Sequence, residues 1–190
     1  LTRTMKRTKT TNKLSCNAGD DRRRDLGWKW LLIPASALLA AVLLNTLCMI
    51  CAIVPSSSME PTIEEDALLV ANRLAYINKA PARGDVILFY HEELGTSLIV
   101  KRIIGLPGET VEIRNGQVYI DETPLEELYV TNASSDNLNP VTIPAGHYFV
   151  LGDNREHSHD ARFWEDPFVS TEEIRAKAVF TLLPSVQTIE

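Results

Sequence analysis

The sequence predicts a mainly β, antiparallel domain carried behind one N-terminal transmembrane helix. Three observations predict it. Charge is split along the chain: residues 1–29 hold nine Lys and Arg against three Asp, leaving ten basic against 22 acidic residues in the rest. Residues 30–54 then run for 25 positions without a charged side chain. From residue 55 the pattern changes to short β-prone runs broken by Gly, Pro, Asn and Asp. With 190 residues, 45% apolar and 23% charged, the chain can bury one domain's core, which excludes a wholly disordered, collagenous or disulfide-dense protein.

Residues 1–29 form a basic tail carrying Arg3, Lys6, Arg7, Lys9, Lys13, Arg22, Arg23, Arg24 and Lys29. Its Thr/Lys-rich stretch has no apolar periodicity, which predicts a mobile cytoplasmic segment. Residues 30–54, at ~1.5 Å rise per residue, are long enough to cross a hydrocarbon core of ~30 Å, and they predict one transmembrane helix. Pro34 falls in its expected first turn, where a missing N–H costs little. A cleavable signal peptide would have an apolar run of only ~7–15 residues ending at a small-x-small site; here the run is longer and continues into Pro55-Ser56-Ser57-Ser58. Basic flanks stay cytoplasmic, so residues 55–190 are expected outside the cell membrane, with Trp28 and Trp30 at the interface. Cys16, Cys48 and Cys51 all precede residue 55. The outer domain therefore needs no disulfide and offers no thiol nucleophile.

The expected strands of the outer domain are residues 67–71, 85–90, 97–104, 110–114, 117–120, 147–151 and 176–183, short β-prone runs broken by turn residues. Asn115-Gly116, between VEIR and QVYI, signals a two-residue type I′ hairpin turn. Residues 125–140 are acidic and rich in Asn and Ser, so a long loop is expected there and residues 110–140 form a hairpin and loop lobe.

The chemistry starts at Ser56-Ser57-Ser58-Met59-Glu60-Pro61-Thr62, which follows the span after one proline and would hold a reactive serine at the outer membrane surface. A serine needs a base to become a nucleophile. Lys101, on a strand, shares a face with Ile99 and Ile103, while Arg102 points the other way with Val100 and Ile104. Apolar neighbours would lower the amine's pKa from ~10.4 toward about 8, at about 3 kcal/mol that burial can supply. The residues alone favour a plainer reading, in which Lys101 is the solvated half of a Lys-Arg pair. They also permit a Ser-His-Asp arrangement drawn from His91, His147, His157 or His159 with Asp153 or Asp160. His157-Ser158-His159-Asp160 could seat a metal, but no third ligand cluster accompanies it.

Three segments decide between these readings: residues 55–62 (PSSSMEPT), 101–109 (KRIIGLPGE) and 152–162 (GDNREHSHDAR). In this order, behind an anchor with its N-terminus inside, they resemble the motif set of bacterial type I signal peptidases, also called leader peptidases. The resemblance extends over residues 28–185, and the compact length is similar to the short single-span members common in Gram-positive bacteria. It implies an antiparallel catalytic domain of the signal-peptidase kind and a serine endopeptidase that removes signal peptides from exported preproteins after small-x-small sites. By position, Ser58 is implied as nucleophile and Lys101 as general base. Ser56 and the Ser58 backbone N–H would form the oxyanion hole, Ser158 would orient the lysine amine, and Asp153, Asp160 and Arg162 would hold that wall of the site. Ala161 stands where the family often has a second serine. The related endoplasmic-reticulum enzymes carry histidine in place of the lysine, so Lys101 points to the prokaryotic kind. Val54, Met59, Ile63 and Ile99 are candidate walls of shallow apolar substrate pockets. No metal or organic cofactor is implied; the implied partners are preproteins at the membrane and the lipid bilayer, and no nucleic acid. Two rivals are a processing or self-cleaving Ser-Lys peptidase of the plan shared with phage-type repressors, and a non-catalytic anchored binding module.

Overall fold

The computed structural model describes residues 20–189 of the chain. It divides into two units, residues 1–44 and 45–190. The first is described from Asp20 onward as helix α1 (Asp20–Cys48). The part of the expected tail from residue 20 is therefore helical, since extending a formed helix costs far less than starting one; residues 1–19 lie outside the described residues. Pro34 lies inside α1 rather than in its first turn. Leu31, Ile33, Leu38 and Leu39 each leave more than half of their surface uncovered. Among the described residues no helix is long and apolar enough to cross a membrane.

The helix expected through residue 54 ends at Cys48, and Met49–Val54 is strand β1. An unbroken apolar run does not separate a buried strand from a helix by periodicity. What separates them here is pairing: β1 lies antiparallel to β2 (Ala67–Asn72) in continuous register from Met49↔Asn72 to Val54↔Ala67. The Arg73 N–H donates to the Cys48 carbonyl at 2.8 Å and closes that end of the ladder.

The remaining strands follow as β3 (Val86–Phe89), β4 (Ile99–Gly105), β5 (Thr110–Arg114), β6 (Gln117–Ile120), β7 (Thr123–Pro124), β8 (Leu138–Thr142), β9 (His147–Leu151), β10 (Val169–Ser170), β11 (Ile174–Leu183) and β12 (Gln187–Thr188). The larger sheet has the order β1-β2-β11-β3-β4-β9-β10, with β12 paired to β11; the smaller has the order β7-β6-β5-β8. All pairings are antiparallel. Asn115 and Gly116 both have positive φ, 49° and 80°, as a type I′ turn between β5 and β6 requires. Residues 125–140 are not loop throughout: Leu138–Thr142 pairs with β5, and Pro140 is tolerated because β8 is an edge strand.

Two apolar clusters flank the larger sheet. One gathers Ile87, Phe89, Ile103, Phe149 and Trp164 with Val111 and Val118 of the smaller sheet and Ile143 just after β8. The other gathers Val54, Met59, Ile63, Leu69, Val86 and Leu88. At about 25 cal/mol per Å² of apolar surface removed from water, this burial is the main term favouring the fold. Strand β4 runs through its middle, so whatever β4 carries at its centre is buried whether apolar or not.

Candidate active site

Strand β4 carries Lys101 and Arg102 side by side in the sheet, opposite Ile87 and Val86 of β3. Both are buried, at 4% and 1% exposure. Two buried cations on one strand need separate means of accommodation. Arg102 is paired: its Nε and a terminal nitrogen donate to the two Asp153 carboxylate oxygens at 2.9 and 2.8 Å, and Thr62 Oγ1 donates to the same carboxylate at 2.5 Å. Among the described residues Lys101 has no carboxylate partner and meets the Ser56–Met59 segment instead.

That segment is the 3-10 turn Ser57–Met59, which follows β1 directly after Pro55 and Ser56. The Met59 side chain, 0% exposed, sits in the core and fixes the turn. Ser58 is thereby aimed inward at 5% exposure, and Lys101 Nζ lies 2.6 Å from Ser58 Oγ. Ser56 Oγ lies 3.2 Å from Ser58 Oγ. Burial is the largest influence on the Lys101 amine and lowers its pKa to about 8; Asp160 and Asp153 pull it back up, and Arg162 pushes it down.

The far wall is the segment after β9. Gly152 is where it touches the Ser57–Met59 turn: a Cβ there would fall 2.5 Å from the Ser58 carbonyl oxygen and 2.2 Å from Ser158 Oγ, so only glycine fits. The Asn154 backbone N–H donates to the Ser58 carbonyl at 3.1 Å, and Asn154 Nδ2 donates to the Ser57 carbonyl at 3.1 Å. Asp160 accepts from the Gly152 N–H at 3.0 Å and from Arg162 Nε at 2.7 Å. The expected wall residues thus enter three ion pairs: Asp153 with Arg102, and Arg162 with both Asp160 and Asp136. Ser158 is buried in this wall at 5% exposure, yet its Oγ has no hydrogen-bond partner among the described residues, so the expected bond to Lys101 is not formed in this structure.

A cavity of about 180 Å³ opens beside Ser58, lined by residues 52–56, by Ser58 and by residues 98–101. It includes Val54 and Ile99 from the expected pocket walls. Met59 and Ile63 do not line it; both are fully buried in the core cluster that supports the turn. Among the described residues no hydrogen bond joins a histidine to the Ser56 or Ser58 hydroxyl. His91 stacks on Trp164 at 4.6 Å, His147 meets the Ala145 carbonyl, His157 meets Asn154, and His159 stacks on Phe163.

Sequence reasoning did not single out Arg102, Asn154, Arg155 or Thr62. Arg102 had a usable signal, because a cation between Val100 and Ile104 on a central strand must find a buried anion. The others had none, since their partners are remote in the chain.

Chemically, a buried amine of lowered pKa in contact with one hydroxyl, with a second hydroxyl beside it, can deprotonate that hydroxyl and stabilise a developing oxyanion. Residues 27–183 match the family described as signal peptidase, peptidase S26. The chain is 40% identical over 139 residues to a probable signal peptidase I-1 of Synechocystis, covering 70% of each chain. It is 39% identical over 138 residues to a signal peptidase I of Leptolyngbya laminosa, covering 69% of this chain and 67% of the relative. A signal peptidase I P of Bacillus subtilis subsp. natto is 34% identical over 160 residues, 76% of this chain and 86% of the relative. A match over that much of the chain, reaching through both sheets and all three site segments, shows that the chain belongs to the signal peptidase family, peptidase S26, and is a serine peptidase of that family.

Proposed function

We propose that this serine peptidase removes signal peptides from exported preproteins with Ser58 as nucleophile and Lys101 as general base. The observation that supports it is the 2.6 Å contact between a buried amine of pKa about 8 and the Ser58 hydroxyl. In its neutral form the amine takes the Ser58 proton as Oγ bonds to the scissile carbonyl carbon. The oxyanion is met by the Ser56 hydroxyl and the Ser58 N–H. The proton on Lys101 passes to the departing amine, and a water activated by the same neutral lysine hydrolyses the acyl-serine. Asp153, Asp160 and Arg162 keep the wall in place, and Ser158, whose buried hydroxyl is unbonded among the described residues, would orient the amine on turning toward Lys101. We assign the cavity beside Ser58, walled by Val54 and Ile99, to the side chains that precede the cut.

The enzyme works at the membrane. The uncharged run from Trp30 and the uncovered apolar side chains of α1 support an anchor in lipid, with the basic tail inside and residues 49–190, β1 included, outside. Anchoring confines nucleophile and substrate to one surface and raises their effective concentration. Incubating the detergent-solubilised chain with a labelled preprotein tests the assignment: the wild type releases the signal peptide and Ser58→Ala and Lys101→Ala do not. Cleavage by Ser58→Ala would overturn it.

A further inference from the structure

The chain between β7 and β8 grips the arginines that flank the nucleophile wall. Glu127 and Arg155 are buried, at 8% and 3% side-chain exposure, and form a forked pair: two guanidinium nitrogens donate to the two carboxylate oxygens at 3.0 and 2.6 Å. The remaining Arg155 Nε donates to the Gly152 carbonyl at 3.0 Å. Gly152 is the residue packed against the Ser58 carbonyl, and Asn154, next to Arg155, holds the Ser57 and Ser58 carbonyls. Two residues on, Tyr129 donates its hydroxyl to Glu127 at 2.8 Å and lays its ring over Arg102, 4.1 Å from the guanidinium carbon. Arg102 in turn holds Asp153, between Gly152 and Asn154. Burial, with the Glu127 charge next, pushes the Tyr129 pKa up, so the phenol stays a donor across the working range.

We infer that Glu127 and Tyr129 are positioning residues for the reaction at Ser58. They clamp the Gly152–Asn154 backbone from both ends, Glu127 through Arg155 and Tyr129 through Arg102 and Asp153. The clamp fixes where the Ser58 carbonyl sits, and with it the direction of Oγ toward Lys101. Neither residue lines the cavity beside Ser58, so substrate affinity does not depend on them. A misplacement of about 1 Å imposed from outside the reacting groups can slow an enzyme as much as ~100-fold.

The inference rests on the Ser58–Lys101 reading, and its test separates the two. The full-length chain in detergent is mixed in excess with a peptide bearing a small-x-small site, and the limiting single-turnover rate is measured. That rate does not depend on the folded fraction, so a variant that only folds less well keeps the wild-type value. Glu127→Gln is expected to lower the limiting rate about tenfold and Tyr129→Phe about threefold, with the half-saturating enzyme concentration within about twofold of wild type. Ser58→Ala is run alongside. Turnover by Ser58→Ala overturns the assigned nucleophile; with that variant inactive, a wild-type limiting rate in Glu127→Gln and Tyr129→Phe overturns the clamp. If Glu127→Gln fails to fold, Tyr129→Phe alone decides, because it removes one hydrogen bond and leaves both ion pairs intact.

Discussion

At the scale of single residues the chain's most consequential choice is an unpaired lysine beside a paired arginine on one buried strand. Arg102 is neutralised by Asp153; Lys101, without a carboxylate in contact, is desolvated until its pKa falls to about 8. Activity should follow the neutral amine. We expect kcat/KM to rise with pH through a midpoint near 8 and to fall about tenfold per unit well below it, measured as a pH–rate profile on a peptide substrate. Lys101→Arg should be inactive at every pH, because a guanidinium keeps its proton. His147→Ala and His159→Ala should keep most of the activity; loss in both would return a histidine to the base's role. Stability shifts with pH in the same direction. A lysine whose folded pKa lies below its unfolded one binds its proton more weakly when folded. Its penalty is full below pH 8 and is relieved as pH rises toward 10.5. Lys101→Met should therefore be more stable than wild type at pH 7 by up to about 3 kcal/mol, the gain fading toward pH 10 in urea titrations.

At the scale of elements, the site is the meeting of a 3-10 turn, the centre of β4 and the turn after β9, and Gly152 is where two of them touch. Gly152→Ala drives a methyl into the Ser58 carbonyl, a backbone atom that cannot swing aside. We expect a lower Tm and a loss of cleavage of about 100-fold or more in the folded fraction; near-normal cleavage would mean the turn is not held where it is drawn. Asp153→Asn leaves the buried Arg102 charge uncompensated and should cost about 3 kcal/mol in urea unfolding, far above a surface pair. The strands themselves were legible: alternation and turn residues marked β2 to β6, β9 and β11 to within about two residues, because both signals are local. Strand β1 was not, since Met49-Ile50-Cys51-Ala52-Ile53-Val54 continues an apolar helix without punctuation and only β2 across the ladder assigns it.

At the scale of the whole molecule, the basic tail, the uncharged run and the pairing of β1 with β2 predict an enzyme whose residues 49–190 face outward. Protease added to intact spheroplasts should digest that part and spare a tag at residue 1; the opposite pattern would sink both the topology and the function built on it. The linear chain was sufficient for the architecture class, the order of the site segments and the identities of Ser58 and Lys101 as candidates, because periodicity, turn chemistry and motif spacing are properties of neighbours along the backbone. It was silent on how those candidates are held. Glu127 reaches Arg155 across 28 residues, Arg102 reaches Asp153 across 51, and Asn154 reaches Ser57 across 97. No local pattern encodes such pairs, because which distant polar groups meet is decided when two sheets fold around shared cores. Burial, the quantity that lowers the Lys101 pKa, exists only after β4 has been placed between β3 and β9.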